Sequence, residues 1–600
     1  MPNFIRDIQK TDTTSFPYIF EQNVTVRTKV AGGLIRCNVY RPKTDARVPV
    51  IVTYGPYGKD IHYEIFHPSS FAEVNPEHHS AHSAWETPDP GFWTRHGYAV
   101  VRADERGLGQ SPGVLDTMSR GTSEAFFDLI EWAAEQKWSS GKVGLLATME
   151  VVSGASLHGS PKVSQLSSLG RGCQTTIAIA VDKVAFCLMA SSNSGGIVRS
   201  SPTSTGAQDV LHVTGGPDTI EGDLPKEELA ANRRDQTQDN VANRFRDEPY
   251  YASKEYTMSD IQVPVLSVAN WGGICLHLRG NVEGWTWAGS PLKYLRFITG
   301  RHDLPFYYHA EVEVQRSFLD AFLKGEDREG WSVPGKLAPV SIILRKGDVG
   351  FNDAKAEQAY LRRSENEWPI ARTQYTPFFL HPDGRLTIDE TAVKDLPVTK
   401  ISYPALGTLN NPQLLRAETE PFTQETEITG HIVAHLNVSV TPYPDSEIIP
   451  SDIDLFLTLR HISPAGQEVF YTGTAGDPVP LTKGWLRVSL RKTDPNHHKH
   501  RAWLPHRNYV STDVEPVIVG DVYTVDVEIW PTNVVVERGG KIVLEVASGD
   551  TQGCGVFQHD SPIDRSKEKF HGLNHIHFGP QFQNYVSLPI IPPKDDGIVS

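Results

Sequence analysis

The chain has little of what would assign it to a specialised class. Five cysteines in 600 residues, Cys37, Cys173, Cys187, Cys275 and Cys554, are odd in number and widely spaced. That excludes a disulfide framework and a CxxC zinc site, and leaves buried free thiols as the expectation. No apolar run is long enough to span a bilayer, and the start MPNFIRDIQK lacks the basic-then-apolar pattern of a signal peptide, so a cytoplasmic location is expected. Positive charge is in deficit: 57 Lys and Arg stand against 72 Asp and Glu, a net charge of -15. Phosphate backbones and anionic membranes need clustered cations, so nucleic acid and membrane are disfavoured as partners. Small molecules and short peptides remain. No internal repeat is visible, and the length suggests two or three domains.

Two kinds of pattern are present. Short apolar runs bounded by Gly, Pro and charge, at Leu34 to Tyr40, Val48 to Thr53, Tyr98 to Arg102, Val143 to Leu146, Val263 to Val268 and Leu295 to Thr299, read as buried parallel strands. Stretches of helical spacing, Ser123 to Gln136 and Glu311 to Lys324, lie between or after them, which implies an α/β sheet. Beyond about residue 350 the chain alternates instead, at Ile432 to Val440, Asp454 to Leu459, Gly484 to Leu490, Val522 to Trp530 and Lys541 to Ala547. Such a run of strands predicts a jelly-roll sandwich. The division is an α/β domain over 1–335 and an all-β domain over 350–600.

Four segments carry chemistry. TYGPYGKD (Thr53 to Asp60) and YAVVRADERGLGQSPG (Tyr98 to Gly113) each follow or contain a strand, GKVGLL (Gly141 to Leu146) reads as the strand before a nucleophile elbow, and FITGRHDLPF (Phe297 to Phe306) closes a late strand. Taken in order, they resemble the cocaine esterase and X-prolyl dipeptidyl-peptidase family of serine hydrolases. PFTQETEITG, GWLRVS and YTVDVEIWPT resemble the jelly roll of the same family. The resemblance implies an α/β-hydrolase sheet with a helical cap, here about 175–258, and cleavage of an ester or amide, as in esterase or dipeptidyl-peptidase activity. No cofactor is expected, and no metal.

Carried over residue by residue, the resemblance gives Tyr57 to the oxyanion hole and His302 to the general base. Without it, Tyr57 would read as a core-edge tyrosine in a Pro turn and His302 as a structural histidine. Asp104, Arg106, Gly107 and Ser111 match a turn that ties loops together. Two positions depart from the family. An elbow needs a serine at the apex of a small-residue turn, and Met149 stands there, in Ala147, Thr148, Met149, Glu150. The acid expected just after Val263 to Val268 is replaced by Asn270, Trp271, Gly272 and Gly273. Glu283 and Asp303 are the nearby carboxylates that could reach the far ring nitrogen of the base.

Residues 147 to 215 are rich in Ser and Gly and hold almost no aromatics before Phe186. Back-translated and read from the third base of each codon, they admit a Trp- and Tyr-rich sequence similar to the family's helix and cap. It rejoins the written frame at Gly215, Gly216, Pro217 and Asp218. The segment therefore reads as a frameshift that also removes the serine codon. Ser153 and Ser156, in VVSGASLHG, are displaced from the strand end and spaced wrongly for an elbow. The chain as written is expected to lack covalent catalysis and to fold poorly. Each large buried side chain lost removes ~1.5 to 3 kcal/mol from a total stability of ~5 to 15 kcal/mol.

Histidine groups at His78, His79 and His82, at His497, His498 and His500, and at His575 and His577 lack companion ligands at metal spacing and are expected in exposed loops. The alternative to an enzyme is a non-catalytic binding protein, its jelly roll recognising carbohydrate or a partner and its hydrolase domain vestigial. The acyl group, the leaving group and the oligomeric state are open.

Overall fold

The computed structural model describes residues 8–593 apart from 30–32, 117–118, 147–226, 228–238, 240–241, 256, 275 and 555–557. Met149, Ser153, Ser156, Phe186 and most of the expected cap lie outside the described residues, as do Cys173, Cys187 and Cys275.

The first sheet is built from β1 (Lys10–Asp12), β2 (Tyr18–Arg27), β3 (Leu34–Pro42), β4 (Val48–Gly55), β5 (Ala99–Asp104) and β6 (Ser139–Leu145). Its spatial order is β1-β2-β3-β5-β4-β6. β4 runs parallel to β5 and β6, which explains the continuous apolar character of Val50, Ile51, Val52, Val100 and Val101, all fully buried. β3 is antiparallel to β5, a correction to its reading as a parallel strand. Buried apolar runs report burial on two faces and not strand direction.

A second sheet has the order β10-β9-β8-β7, from β7 (Val265–Asn270), β8 (Lys293–Ile298), β9 (Val340–Ile343) and β10 (Arg362–Glu365). β9 pairs parallel to β8, so this sheet takes two strands from beyond residue 335. Helices pack alongside: α1 (Pro90–Arg95), α2 (Arg120–Glu135), α3 (Leu278–Trp287) and α4 (His309–Leu319). α1 starts where Asp89 caps Phe92 N–H at 2.9 Å with Pro90 at the first helical position, and α2 where Ser119 caps Thr122. Both follow from the capping preference of small polar residues and the fixed φ of proline. Phe126, Leu129 and Ala133 form the buried stripe of α2, with Phe126 stacked on Tyr54 at 5.2 Å.

One large sheet dominates the C-terminal half. The strand Tyr585–Ile591 pairs both with Gln374–Leu380 and with Thr426–Thr441, which closes the sheet on itself, with Leu573–Phe578 and Thr399–Pro404 branching off as outer strands. The expected strand Lys541–Ala547 is observed with those bounds; Thr426–Thr441 and Tyr523–Val536 extend beyond their expected limits. At the centre of this half Arg487 is fully buried and forms paired contacts with Asp454 (2.7 and 2.9 Å) and Asp564 (3.1 and 2.9 Å).

The two halves share one apolar core. Trp271 stacks on Phe297 at 4.0 Å and meets Trp368 at 6.1 Å. Over these rings lies Arg345, buried, whose guanidinium donates to Asn533 O (2.9 Å) and Thr532 Oγ1 (2.8 Å) and sits 4.0 Å from the Tyr471 ring. Arg279 of α3 adds a forked pair to Glu528 at 2.6 and 3.1 Å.

Candidate active site

The carboxyl ends of β4 and β5 deliver Gly55 and Asp104 to one edge of the sheet, and the turn that follows β4 carries Tyr57. Its ring packs edge-on against Trp85 (4.5 Å) and Phe66 (5.9 Å), at a cleft also lined by Glu86, Arg102 and Ala103. Two residues on, Lys59 fixes the turn. Its side chain is fully buried, donates to Asn23 Oδ1 at 2.7 Å, and pairs with Asp60 and, at 3.5 Å, with Asp104. The Lys59 backbone N–H donates to Asp104 as well. Burial alone would discharge this amine, and the two carboxylates outweigh that and raise its pKa.

The turn after β5 supports the same loop. Ser111 donates to Asp104 O at 3.0 Å and accepts from Arg36 N–H at 2.9 Å. Gly107 takes φ +80°, and a Cβ there would lie 2.2 Å from the Leu115 nitrogen, so glycine is required. The Arg106 backbone N–H donates to Tyr54 Oη at 3.3 Å.

His302 lies in the loop after β8, four residues past Ile298. Its backbone N–H donates to Thr474 O at 2.9 Å, a contact from the C-terminal half. Nε2 of its ring lies 3.0 Å from Glu86 Oε1, and the ring faces His277, just before α3, at 4.8 Å. Asn270, at the end of β7 where an acid was expected, donates its amide to Gly300 O at 2.8 Å and accepts from Gly272 N–H at 2.9 Å. It fastens the His302 loop to β7. A carboxylate has no donor for that carbonyl.

The two carboxylates suggested by sequence are engaged elsewhere. Asp303 accepts from Tyr63 Oη (2.6 Å), Ser70 Oγ (2.6 Å) and Trp85 Nε1 (2.9 Å). Burial pushes its carboxyl up, and those three donors, with a smaller contribution from the charge of His302, outweigh burial and hold it below the usual carboxylate range. Glu283 sits on α3, accepts from Trp287 Nε1 at 3.1 Å and faces Arg279. Neither shows a hydrogen bond or ion pair to the His302 ring among the described contacts.

Trp85 and Glu86 are the residues the sequence reading missed. As neighbours they reach both sides of the cleft, Trp85 to Tyr57 and Asp303, Glu86 to His302. The only signal in the sequence is an acid just ahead of a capped, proline-started helix, in WETPDP.

The histidine groups correct another expectation in part: His79 and His498 are exposed, but others are not. His78 is buried against Phe92 and Tyr307, and burial drives its pKa down to about 3. His575 is buried between Ser402 (2.6 Å) and Thr441 (2.8 Å), and His577 bonds Ser439 at 2.8 Å. A neutral imidazole both donates and accepts, so it satisfies such interiors, and apolar packing rather than solvent surrounds His78. Among the described residues no three His, Cys, Asp or Glu side chains are grouped as a metal site, and no helix is long and apolar enough to cross a membrane. Cys37 and Cys554 are both buried, and Cys37 is a free thiol.

Comparison with known proteins agrees with this architecture over almost the whole chain. Residues 31–286 match the family model of the X-Pro dipeptidyl-peptidases (S15 family), and residues 333–587 match that of the X-Pro dipeptidyl-peptidase C-terminal non-catalytic domain. Cocaine esterase of a Rhodococcus species is 24% identical, over 96% of this chain and 99% of its own. A putative serine esterase of Mycobacterium bovis is 22% identical over 45% of this chain and 43% of its own. Among solved structures, a CocE/NonD family hydrolase from Staphylococcus aureus superposes with a TM-score of 0.74 at 23% identity, covering 96% of this chain and 94% of its own. An α-amino acid ester hydrolase does so with a TM-score of 0.59 at 13% identity, covering 98% and 100%. The two matched models follow one another in the order that the sheet and the closed barrel follow along the chain, and the chain belongs to the cocaine esterase and X-Pro dipeptidyl-peptidase (S15) family of hydrolases.

Proposed function

We propose that this framework serves acyl transfer through a serine, on a small ester, an amide or a short peptide, and that the chain as written lacks the serine that would carry it. The observation behind this reading is the meeting of the Tyr57 turn and the His302 loop across Trp85 and Glu86. Here Tyr57 contributes to the oxyanion hole, and His302 takes the nucleophile's proton and returns it to the leaving group. The names of the relatives, a cocaine esterase and an α-amino acid ester hydrolase, support the substrate class. Met149 occupies the apex position in the sequence and offers no hydroxyl or thiol to activate.

The test is labelling by a fluorophosphonate, which reacts with an activated serine. Two full-length chains are compared, one as written and one with residues 147–214 replaced by the shifted frame that restores the serine. The restored chain is expected to label and to hydrolyse a chromogenic ester, while the written chain does neither. Labelling of Ser153 or Ser156 in the written chain would overturn the assignment of the break. A restored chain that folds but never labels favours the vestigial binding protein.

A further inference from the structure

We propose that Glu86 is the carboxylate that holds and orients His302, in place of the absent acid after β7, and that Asn270 keeps only the mechanical part of that vacant role. The proposal rests on reading His302 as the base.

The first support is placement. Glu86 is 2% exposed and Oε1 lies 3.0 Å from His302 Nε2, off the line of the N–H bond. Catalytic pairs are often misaligned before substrate binds and tighten in the complex. A buried carboxylate is costly unless a cationic or donor group answers it, and the imidazole edge is what stands opposite.

The second support is strain. Glu86 has φ +56°, one of four non-glycine residues with positive φ among the described residues. A left-handed backbone at a glutamate costs energy and persists only where its surroundings over-determine it. They do so here from both sides. Arg102 donates to His82 O at 2.8 Å and Pro88 O at 3.3 Å, bracketing the loop. Tyr307, in the segment that follows His302, donates to Thr87 O at 3.0 Å and accepts from Thr87 N–H at 3.2 Å. Trp85 Nε1 is bonded to Asp303. The residues on either side of Glu86 are thus tied to the loop that carries His302, and the strained residue is the one whose side chain meets the ring.

The third support is elimination among the neighbours. Asp303 is turned toward three donors that all meet at its Oδ2, Asn270 presents its amide hydrogens to Gly300 O, and His277 on the other side of the ring carries no negative charge. Among the described contacts Glu86 is the acidic group at ion-pair distance from the ring, whereas Asp303 interacts with His302 through charge without a hydrogen bond or ion pair among those contacts. In the proposed step Glu86 stays ionised. It fixes which ring nitrogen keeps its proton, so that the other accepts the hydroxyl proton as the nucleophile's oxygen bonds to the carbonyl carbon. The imidazolium formed beside Glu86 then gives that proton to the leaving group as its bond breaks. Glu86 is a positioning residue, acting through His302.

The experiment is the pH titration of His302, followed by imidazole nitrogen resonances in the full-length chain, with assignment from a His302→Gln spectrum. It needs no turnover, so it stands apart from the labelling test of the nucleophile. In the unsubstituted chain His302 is expected to titrate above the ~6.5 of a free histidine, and Glu86→Gln to lower that midpoint by about one pH unit or more. Glu86→Asp is expected to retain part of the effect. Should Glu86→Gln fold poorly, Glu86→Gly accepts φ +56° without strain and removes the same charge. A midpoint at or below ~6.5 in the unsubstituted chain, a midpoint unmoved by loss of Glu86, or a larger drop in Asp303→Asn than in Glu86→Gln would overturn the proposal.

Discussion

The two loops that meet at the cleft are held by different halves of the molecule. The Tyr57 turn is fixed from within the hydrolase half, by Lys59 between Asp60 and Asp104 and by the turn around Ser111. The His302 loop is fixed partly from outside it, since Thr474 O receives its N–H and Asn352 receives Arg301 Nε at 2.7 Å. The Tyr57 side is therefore a local construction, whereas the His302 side depends on the docked barrel. That gives the C-terminal half a part in the site although it places no reactive group there among the described residues. Substitutions that separate the two dependencies test this asymmetry.

The largest separation comes from Lys59→Met. Lys59 is fully buried, and removing it leaves Asp104, itself 1% exposed, without its cation. Losing one partner of a buried pair costs about 3–5 kcal/mol. Denaturant unfolding should register that loss in the hydrolase half. Hydrogen exchange should rise around residues 53–60 and 104–111 while the barrel strands Thr426–Thr441 and Tyr523–Val536 stay protected. Equal deprotection of the barrel would mean that the two loops are not independently held.

Acid should act on the loop between the two. His78 packs on Tyr307, which stitches the Glu86 segment, and burial holds its pKa near about 3, with Arg95, His79, His96 and His309 adding repulsion. The folded value lies below the unfolded value of ~6.5, so below that pH the unfolded chain binds a proton that the fold refuses. Stability is intact above ~6.5 and falls as pH drops toward the folded value, by about 2 kcal/mol at pH 5 from this residue alone. His82, at about 4, works in the same direction. Thermal melts across pH 7 to 4.5 should show a declining midpoint, with a shallower decline in His78→Leu. An equal decline in that variant would assign the acid limb to other groups.

Much of this frame was legible in the sequence, and the missing parts share a cause. The strand Lys541–Ala547 and the runs around Val50 and Val100 were readable because burial on both faces keeps a short run of neighbouring positions apolar. β9 and β10 were not, since four-residue strands after a turn-rich stretch carry too few positions to show one. His302 and Tyr57 were found through motifs next to strand ends. Glu86 was not, because its role arises where two segments distant in the chain meet, and no local pattern records such a meeting. Asn270 was legible as a missing acid, but its amide bond to Gly300 O, which gives the residue a positive purpose, was visible only in three dimensions.

The barrel's hold on the His302 side can be loosened at Gly272. A Cβ there would stand 1.8 Å from Thr472 O, and that oxygen belongs to the backbone of the hairpin formed by Tyr471–Thr472 and Pro478–Val479, two residues before the Thr474 carbonyl that holds His302. Gly272→Ala must displace the hairpin, at about 1–3 kcal/mol for an overpacked contact. Exchange of the His302 amide should accelerate while the amide of Lys59, bonded to Asp104, keeps its protection. The reverse pattern would put the barrel's influence on the wrong loop.

The smallest effect is expected at Arg301→Ala, and it discriminates between two ways of holding a loop. Arg301 links Asn352 at 2.7 Å and Glu73 at 2.9 Å, but Glu73 is 45% exposed and solvent screens that pair, so the stability lost should be about 1 kcal/mol or less. The backbone bond from His302 to Thr474 and the amide of Asn270 remain, and they fix the loop through main-chain atoms that the Arg301 side chain does not touch. The His302 midpoint should therefore move by far less than in Glu86→Gln, and the His302 amide should stay protected. If Arg301→Ala instead exposed that amide as fully as Gly272→Ala, the side-chain bridge to Asn352 would be the principal clamp, and the hairpin carbonyl only a follower of it.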